Sequence, residues 1–129
     1  MTVKKFEFKQ TYQEIEVAGK VYKVYFDDNQ MKKYRDLYNK FNAVVKKTEG
    51  VNVEDLTNEQ QDEYETEQRN TIKEFVDNTL GEGSFDELYE ASGKSTYNMA
   101  ELVYYIMQIS EEYIGEKQEA KKDKHYLGK

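Results

Sequence analysis

The stretch Leu80–Ile106, LGEGSFDELYEASGKSTYNMAELVYYI, holds two helix ends and two helix starts in close succession. Leu80-Gly81 reads as a helix end, with glycine supplying the positive φ needed just past the last turn. Ser84-Phe85-Asp86-Glu87 has the spacing of a capping box and predicts a short helix over 84–91. Ser92-Gly93 stops that helix. Ser95 then caps a last helix whose apolar residues Met99, Leu102, Val103, Ile106, Ile109, Tyr113 and Ile114 recur at helical spacing. This last helix is expected over about 96–114. The segment therefore predicts a compact helical corner.

Upstream of this corner, two longer helices are legible. Met31, Tyr34, Leu37, Tyr38, Phe41, Val44 and Val45 follow a possible cap at Asp27 or Asp28 and predict a helix over about 28–47. Residues 50–56 read as a linker. Thr57 and Gln60 form a second capping box and open a helix over about 58–80. Its inner stripe is Tyr64, Gln68, Ile72, Phe75, Val76 and Leu80, and its first half is strongly polar. Residues 28–49 carry six basic and three acidic groups, net +3, whereas residues 54–77 carry two basic and nine acidic, net −7. The two helices are thus expected to lie antiparallel with complementary faces. Exposed ion pairs of this kind help orientation more than stability, at roughly 0–1 kcal/mol each.

Further upstream the period changes to two. Ile15 and Val17 alternate with Glu14 and Glu16, and Tyr22, Val24 and Phe26 alternate with Lys23 and Tyr25. This predicts a β-hairpin over 11–26. A turn at Gly19-Lys20, glycine first as in type II′, places Val17 opposite Tyr22, Ile15 opposite Val24, Gln13 opposite Phe26 and Glu16 opposite Lys23. Phe6 and Phe8 suggest an earlier strand segment, of opposite parity and separated by a bulge or break near Gln10–Gln13. The expected fold is therefore α+β: an N-terminal hairpin with a third short strand ahead of it, then about four helices. All belong to one domain over 1–115, and 116–129 is expected to be a flexible Lys-rich tail.

Composition narrows the function classes. The chain has 129 residues and a net charge of −7, with 12 Tyr, 6 Phe, no Cys and no Pro. Aromatic richness argues for a packed core, and absence of cysteine removes disulfides and thiolate metal sites. An acidic surface repels phosphate, so nucleic acid is not an expected partner. After Met1-Thr2-Val3 the sequence turns charged, with no signal-peptide pattern, and no apolar run reaches the ~18 residues of a membrane span. No membrane association is expected.

No constellation of residues points to catalysis or to a cofactor. Gly93-Lys94-Ser95-Thr96 matches the end of a phosphate-binding loop, but Leu88 stands where the first glycine belongs and a helix precedes it instead of a strand. A helix stop followed by a cap explains the same residues. The acidic run Glu59–Glu67, EQQDEYETE, spreads around a helix and lacks the glycine-containing spacing of a calcium loop, so it reads as a solvated face. His125 is the single histidine and has no cysteine or second histidine with which to build a zinc site or a triad. No carboxylate pair stands in an apolar context that would shift its pKa. The tyrosines Tyr38, Tyr89, Tyr97, Tyr104 and Tyr105 are too many for a small core. They read either as partly buried with wet hydroxyls or as an interface, where tyrosine is enriched.

From Val17 onward, and most closely over Phe75–Ile106, the chain resembles the small tail assembly chaperones of long-tailed bacteriophages that infect Gram-positive bacteria. The resemblance rests on a helix ending in Gly81-Glu82-Gly83, a short helix with Phe85, Leu88 and Tyr89, a small-polar break, and a final amphipathic helix from Asn98. These are structural punctuation marks rather than a catalytic signature. Tyrosine richness and the Lys-rich end depart from the pattern. The resemblance implies a non-enzymatic protein of the host bacterial cytoplasm that needs no cofactor. Such a protein coats the apolar, helical tape measure protein before the tail tube polymerises, often self-associates, and often has a frameshift-extended form. Lys121-Lys122 could be encoded by a slippery codon run. Tyr97, Leu102, Tyr104, Tyr105 and Tyr113 are the expected partner-binding residues, acting by helix-in-groove contacts. The alternatives are another small acidic phage or mobile-element binding protein, such as an inhibitor or adaptor, and a small hydrolase.

Overall fold

A computed structural model describes residues 2–127, with side chains described through residue 114. Two strands, β1 (Tyr12–Val17) and β2 (Lys20–Tyr25), form an antiparallel hairpin. Four helices follow: α1 (Asp28–Thr48), α2 (Asn58–Leu80), α3 (Ser84–Ala91) and α4 (Thr96–Leu127). A short 3₁₀ turn at Val53–Asp55 lies between α1 and α2. The expected α+β class and the order of hairpin and helices are what the structure shows.

The hairpin register differs from the sequence expectation by two residues. Val17 pairs with Lys20, Ile15 with Tyr22, Gln13 with Val24 and Glu14 with Lys23, so Glu16 faces Val21 rather than Lys23. The turn is Ala18-Gly19, with φ of 51° and 82°. Positive φ at both central residues is the type I′ geometry that matches strand twist. A shift of two leaves every side chain on its expected face, which is why alternation alone could not separate the two registers. The observed register brings Tyr12 opposite Tyr25, their rings 6.0 Å apart, and sets Lys23 over the Tyr12 ring. The alternative register would have placed Tyr12 against Asp27. The inner face carries Ile15, Tyr22, Val24 and Phe26, all buried. The early strand expected from Phe6 and Phe8 does not form: residues 2–10 have no regular secondary structure.

α2 is the central element, packing against α1, α3, α4 and β2. It opens on the expected capping box, in which Gln60 N donates to Thr57 Oγ1 and Thr57 N donates to Gln60 Oε1. Its core side is Ile72, Phe75 and Val76, fully buried, while Tyr64 and Gln68 in the polar half are half-buried. α1 lies antiparallel to it. Lys40 meets Glu74 at 3.1 Å and Lys47 meets Glu67 at 2.7 Å, pairing the basic helix with the acidic one. Tyr34 and Phe41 from α1, Phe85 and Leu88 from α3, and Met99, Val103 and Ile106 from α4 join the hairpin residues in one core.

The corner at 81–96 is built differently from the capping box expected there. Ser84 is the first residue of α3, not its cap, and its hydroxyl donates backward to the carbonyls of Gly81 and Val76. The cap comes from α2 instead, since Phe85 N donates to Asp77 Oδ1 at 2.9 Å. Gly83, at φ 84°, makes the reversal that brings Asp77 over the new helix start. Ser95 caps α4 as expected, accepting from Asn98 N at 3.1 Å. The amides of Gly93, Lys94 and Ser95 donate to Glu90 O, Tyr89 O and Ser92 Oγ, so these three donors are engaged within the corner.

α4 continues to Leu127, where a helix end near 114 and a separate tail were expected. Gly115 costs about 1 kcal/mol in a helix interior relative to alanine, which is not enough to stop a helix without proline. The Glu, Lys, Gln and Ala residues that follow are good helix formers. The side chains of the Lys-rich end, His125 included, and residues 128–129 lie outside the described residues.

Candidate interaction surface

α4 is flanked by α1 on one side and by β1 on the other, and a groove runs along each flank. The first, of ≈ 460 Å³, is lined by Met31 and Tyr34 of α1 and by Met107, Ser110 and Ile114 of α4. Asp28, Lys32, Arg35 and Glu111 stand around it. Met31 and Met107 are half-buried and Ile114 is 41% exposed. Methionine is unbranched and polarisable, so a methionine-lined floor accommodates varied apolar partners. The mixed-charge rim suits the polar flank of an amphipathic helix. Beneath the floor, burial pushes the Tyr34 phenol up to about 12, with the Asp27 charge adding to it and a backbone hydrogen bond at Tyr25 working the other way.

The second groove, of ≈ 290 Å³, lies between β1 and α4. Its walls include Ile15, Phe26, Tyr105, Ile109 and Tyr113, with Glu14 and Glu112 beside them. Phe26 and Tyr113 stack at 4.4 Å and 21°, and the Tyr113 hydroxyl donates to Gln10 O at 3.5 Å.

The five residues expected to bind a partner do not form one patch. Tyr105 and Tyr113 meet in the second groove. Tyr104 turns toward α1, edge-on to Phe41 at 5.5 Å and to Tyr38 at 6.4 Å. Burial raises its pKa, with Tyr38, Glu101 and Glu49 contributing in the same direction. Tyr97 is 73% exposed near the start of α4, and a hydrogen bond with the Glu101 carboxylate raises its pKa. Leu102 is half-buried against the core. None of the five lines the methionine groove, which reading the sequence missed. The signal was available: Met107, Ser110, Glu111 and Ile114 form a second helical row beside the core row Met99, Val103 and Ile106.

Glu59, Asp62, Glu63 and Glu67 line an open depression along α2. Among the described residues, no group of three or more His, Cys, Asp or Glu side chains converges as a metal site would require. No helix among them is long and apolar enough to cross a membrane. Comparison of the chain with protein-family models, with curated proteins and with solved structures finds no match.

Proposed function

We propose that this chain is a bacteriophage tail assembly chaperone, acting in the host bacterial cytoplasm without catalysis or cofactor. It shields the apolar helices of the tape measure protein until the tail tube forms around them. The observation that carries the reading is the methionine-floored groove between α1 and α4. Its apolar floor and charged rim suit one face of an amphipathic helix. The sequence pattern over Phe75–Ile106 supports the same reading, because it builds the corner from which α4 projects. In this account the partner sits in the groove of Met31, Met107 and Ile114, while Tyr104 stiffens the contact between α1 and α4.

The test is co-expression with the product of the very long, helix-rich open reading frame expected just downstream. The proposal expects that product to become soluble and to co-purify. If it stays insoluble and unbound, the chaperone reading fails. The acidic face of α2 favours a second reading, an inhibitor or adaptor that engages a basic protein surface. Salt separates the two. Above about 0.5 M, where screening reaches within a few ångströms, a groove-bound apolar helix stays bound and a charge-held partner is released.

A further inference from the structure

We infer that the segment Thr2–Gln10 is an exchange arm, which adds as a third strand to the free edge of β1 in a second copy of this chain and seats its phenylalanines in the β1–α4 groove. This inference stands apart from the chaperone reading and is tested without any tape measure protein.

Three observations carry it. The first is the edge itself. Phe26 N donates to Thr11 O at 2.7 Å, and in an antiparallel ladder such bonded pairs alternate. The backbone groups of Tyr12, Glu14 and Glu16 therefore point away from β2. Exposed glutamine amides sit on two of those carbonyls: Gln10 Nε2 is 3.4 Å from Tyr12 O, and Gln13 Nε2 is 3.1 Å from Glu14 O. An arriving strand would replace them with a regular ladder.

The second is the pattern of the arm. In extended form Phe6 and Phe8 fall on one face and Lys5, Glu7 and Lys9 on the other. Phe6 is 72% and Phe8 90% exposed. Laid along β1, the phenyl face enters the groove beside Ile15, Tyr105 and Ile109, while the lysine face comes alongside Glu14 and Glu16. At roughly 3.3 Å per residue the arm is long enough to follow the six residues of β1.

The third is charge. The arm holds three lysines and one glutamate, net +2, in a chain of net −7. The groove it would enter is flanked by Glu14 and Glu112. The same chain cannot readily supply this strand to its own edge. Only Lys9, Gln10 and Thr11 separate Phe8 from β1, and none is the glycine or asparagine that a two-residue hairpin turn prefers. A reciprocal exchange between two copies needs no such turn and closes as a two-fold dimer.

The absence of native cysteine makes the test direct. Full-length Phe8→Cys and Tyr105→Cys variants, mixed under mild oxidation, should form a covalent heterodimer, with folding checked by far-UV circular dichroism. In sedimentation velocity the natural chain should be a dimer. Lys5→Glu/Lys9→Glu, which turns attraction to Glu14 and Glu16 into repulsion, should weaken that dimer about severalfold at low salt. Mixing it with Glu14→Lys/Glu16→Lys should restore association. The inference is overturned if the natural chain sediments as a monomer at every concentration, or if charge reversal leaves the dimer unchanged. It is also overturned if a Phe8→Cys/Tyr105→Cys double variant closes its disulfide within one chain.

Discussion

At the scale of single residues, the costs and gains sit where the backbone or a buried group is constrained. Ala18 holds φ 51° in the hairpin turn, a left-handed conformation in which the Cβ of an L-residue crowds the following carbonyl oxygen. Asparagine tolerates it, and Asn-Gly is the preferred type I′ pair. Ala18→Asn should therefore stabilise the protein by about 0.5–1 kcal/mol, read as a higher midpoint in urea with an unchanged slope. Tyr34 supplies a pH signature. Its phenol is raised from 10.0 to about 12 in the folded state, so the folded chain holds this proton more tightly than the unfolded one. The associated stability is fully present below about pH 10 and is lost as pH rises from there through about 12. Tyr34→Phe should flatten that alkaline loss in a pH series of thermal melts.

At the scale of elements, each junction depends on one or two side chains. Asp77 belongs to α2 yet caps α3, so Asp77→Ala should cost about 1 kcal/mol, while Asp77→Asn should recover most of it. Loss confined to Ser84→Ala, with Asp77→Ala silent, would contradict this assignment. Gly115 lies within α4, and Gly115→Ala should raise helicity and add up to about 1 kcal/mol of helix stability, seen by circular dichroism and slowed amide exchange. The helices were legible because their apolar residues recur at helical spacing and their ends carry Thr57, Ser95 and the glycines. The hairpin faces were legible too. Its register was not, because a slip of two residues preserves the alternation and only cross-strand partners such as Tyr12 and Tyr25 distinguish the two. The Asp77 cap was hidden for another reason: it reaches across a turn, and the local Ser84–Glu87 spacing offered a closer alternative. The continuation of α4 past Gly115 is less legible, because the apolar residues end there while helix propensity persists.

At the scale of the whole molecule, the chain is a helical framework around α2 that offers two grooves, one on each flank of α4. Tyrosine content pointed to an interaction surface, but the tyrosines divide between the flanks and the more apolar floor belongs to methionines. In the two proposals made above, the α1–α4 groove takes a foreign helix and the β1–α4 groove takes the arm of a second copy. Neither proposed use requires the chemistry that Gly93–Thr96 or the acidic run superficially suggest. We propose that the methionine groove holds an amphipathic helix of the tape measure protein. Calorimetric titration of such a helical peptide into the full-length protein tests it most directly. Saturable binding is expected, weakened at least about tenfold by Met107→Glu and unchanged by Glu63→Lys. Absence of binding to the natural chain, or equal binding by Met107→Glu, would contradict it.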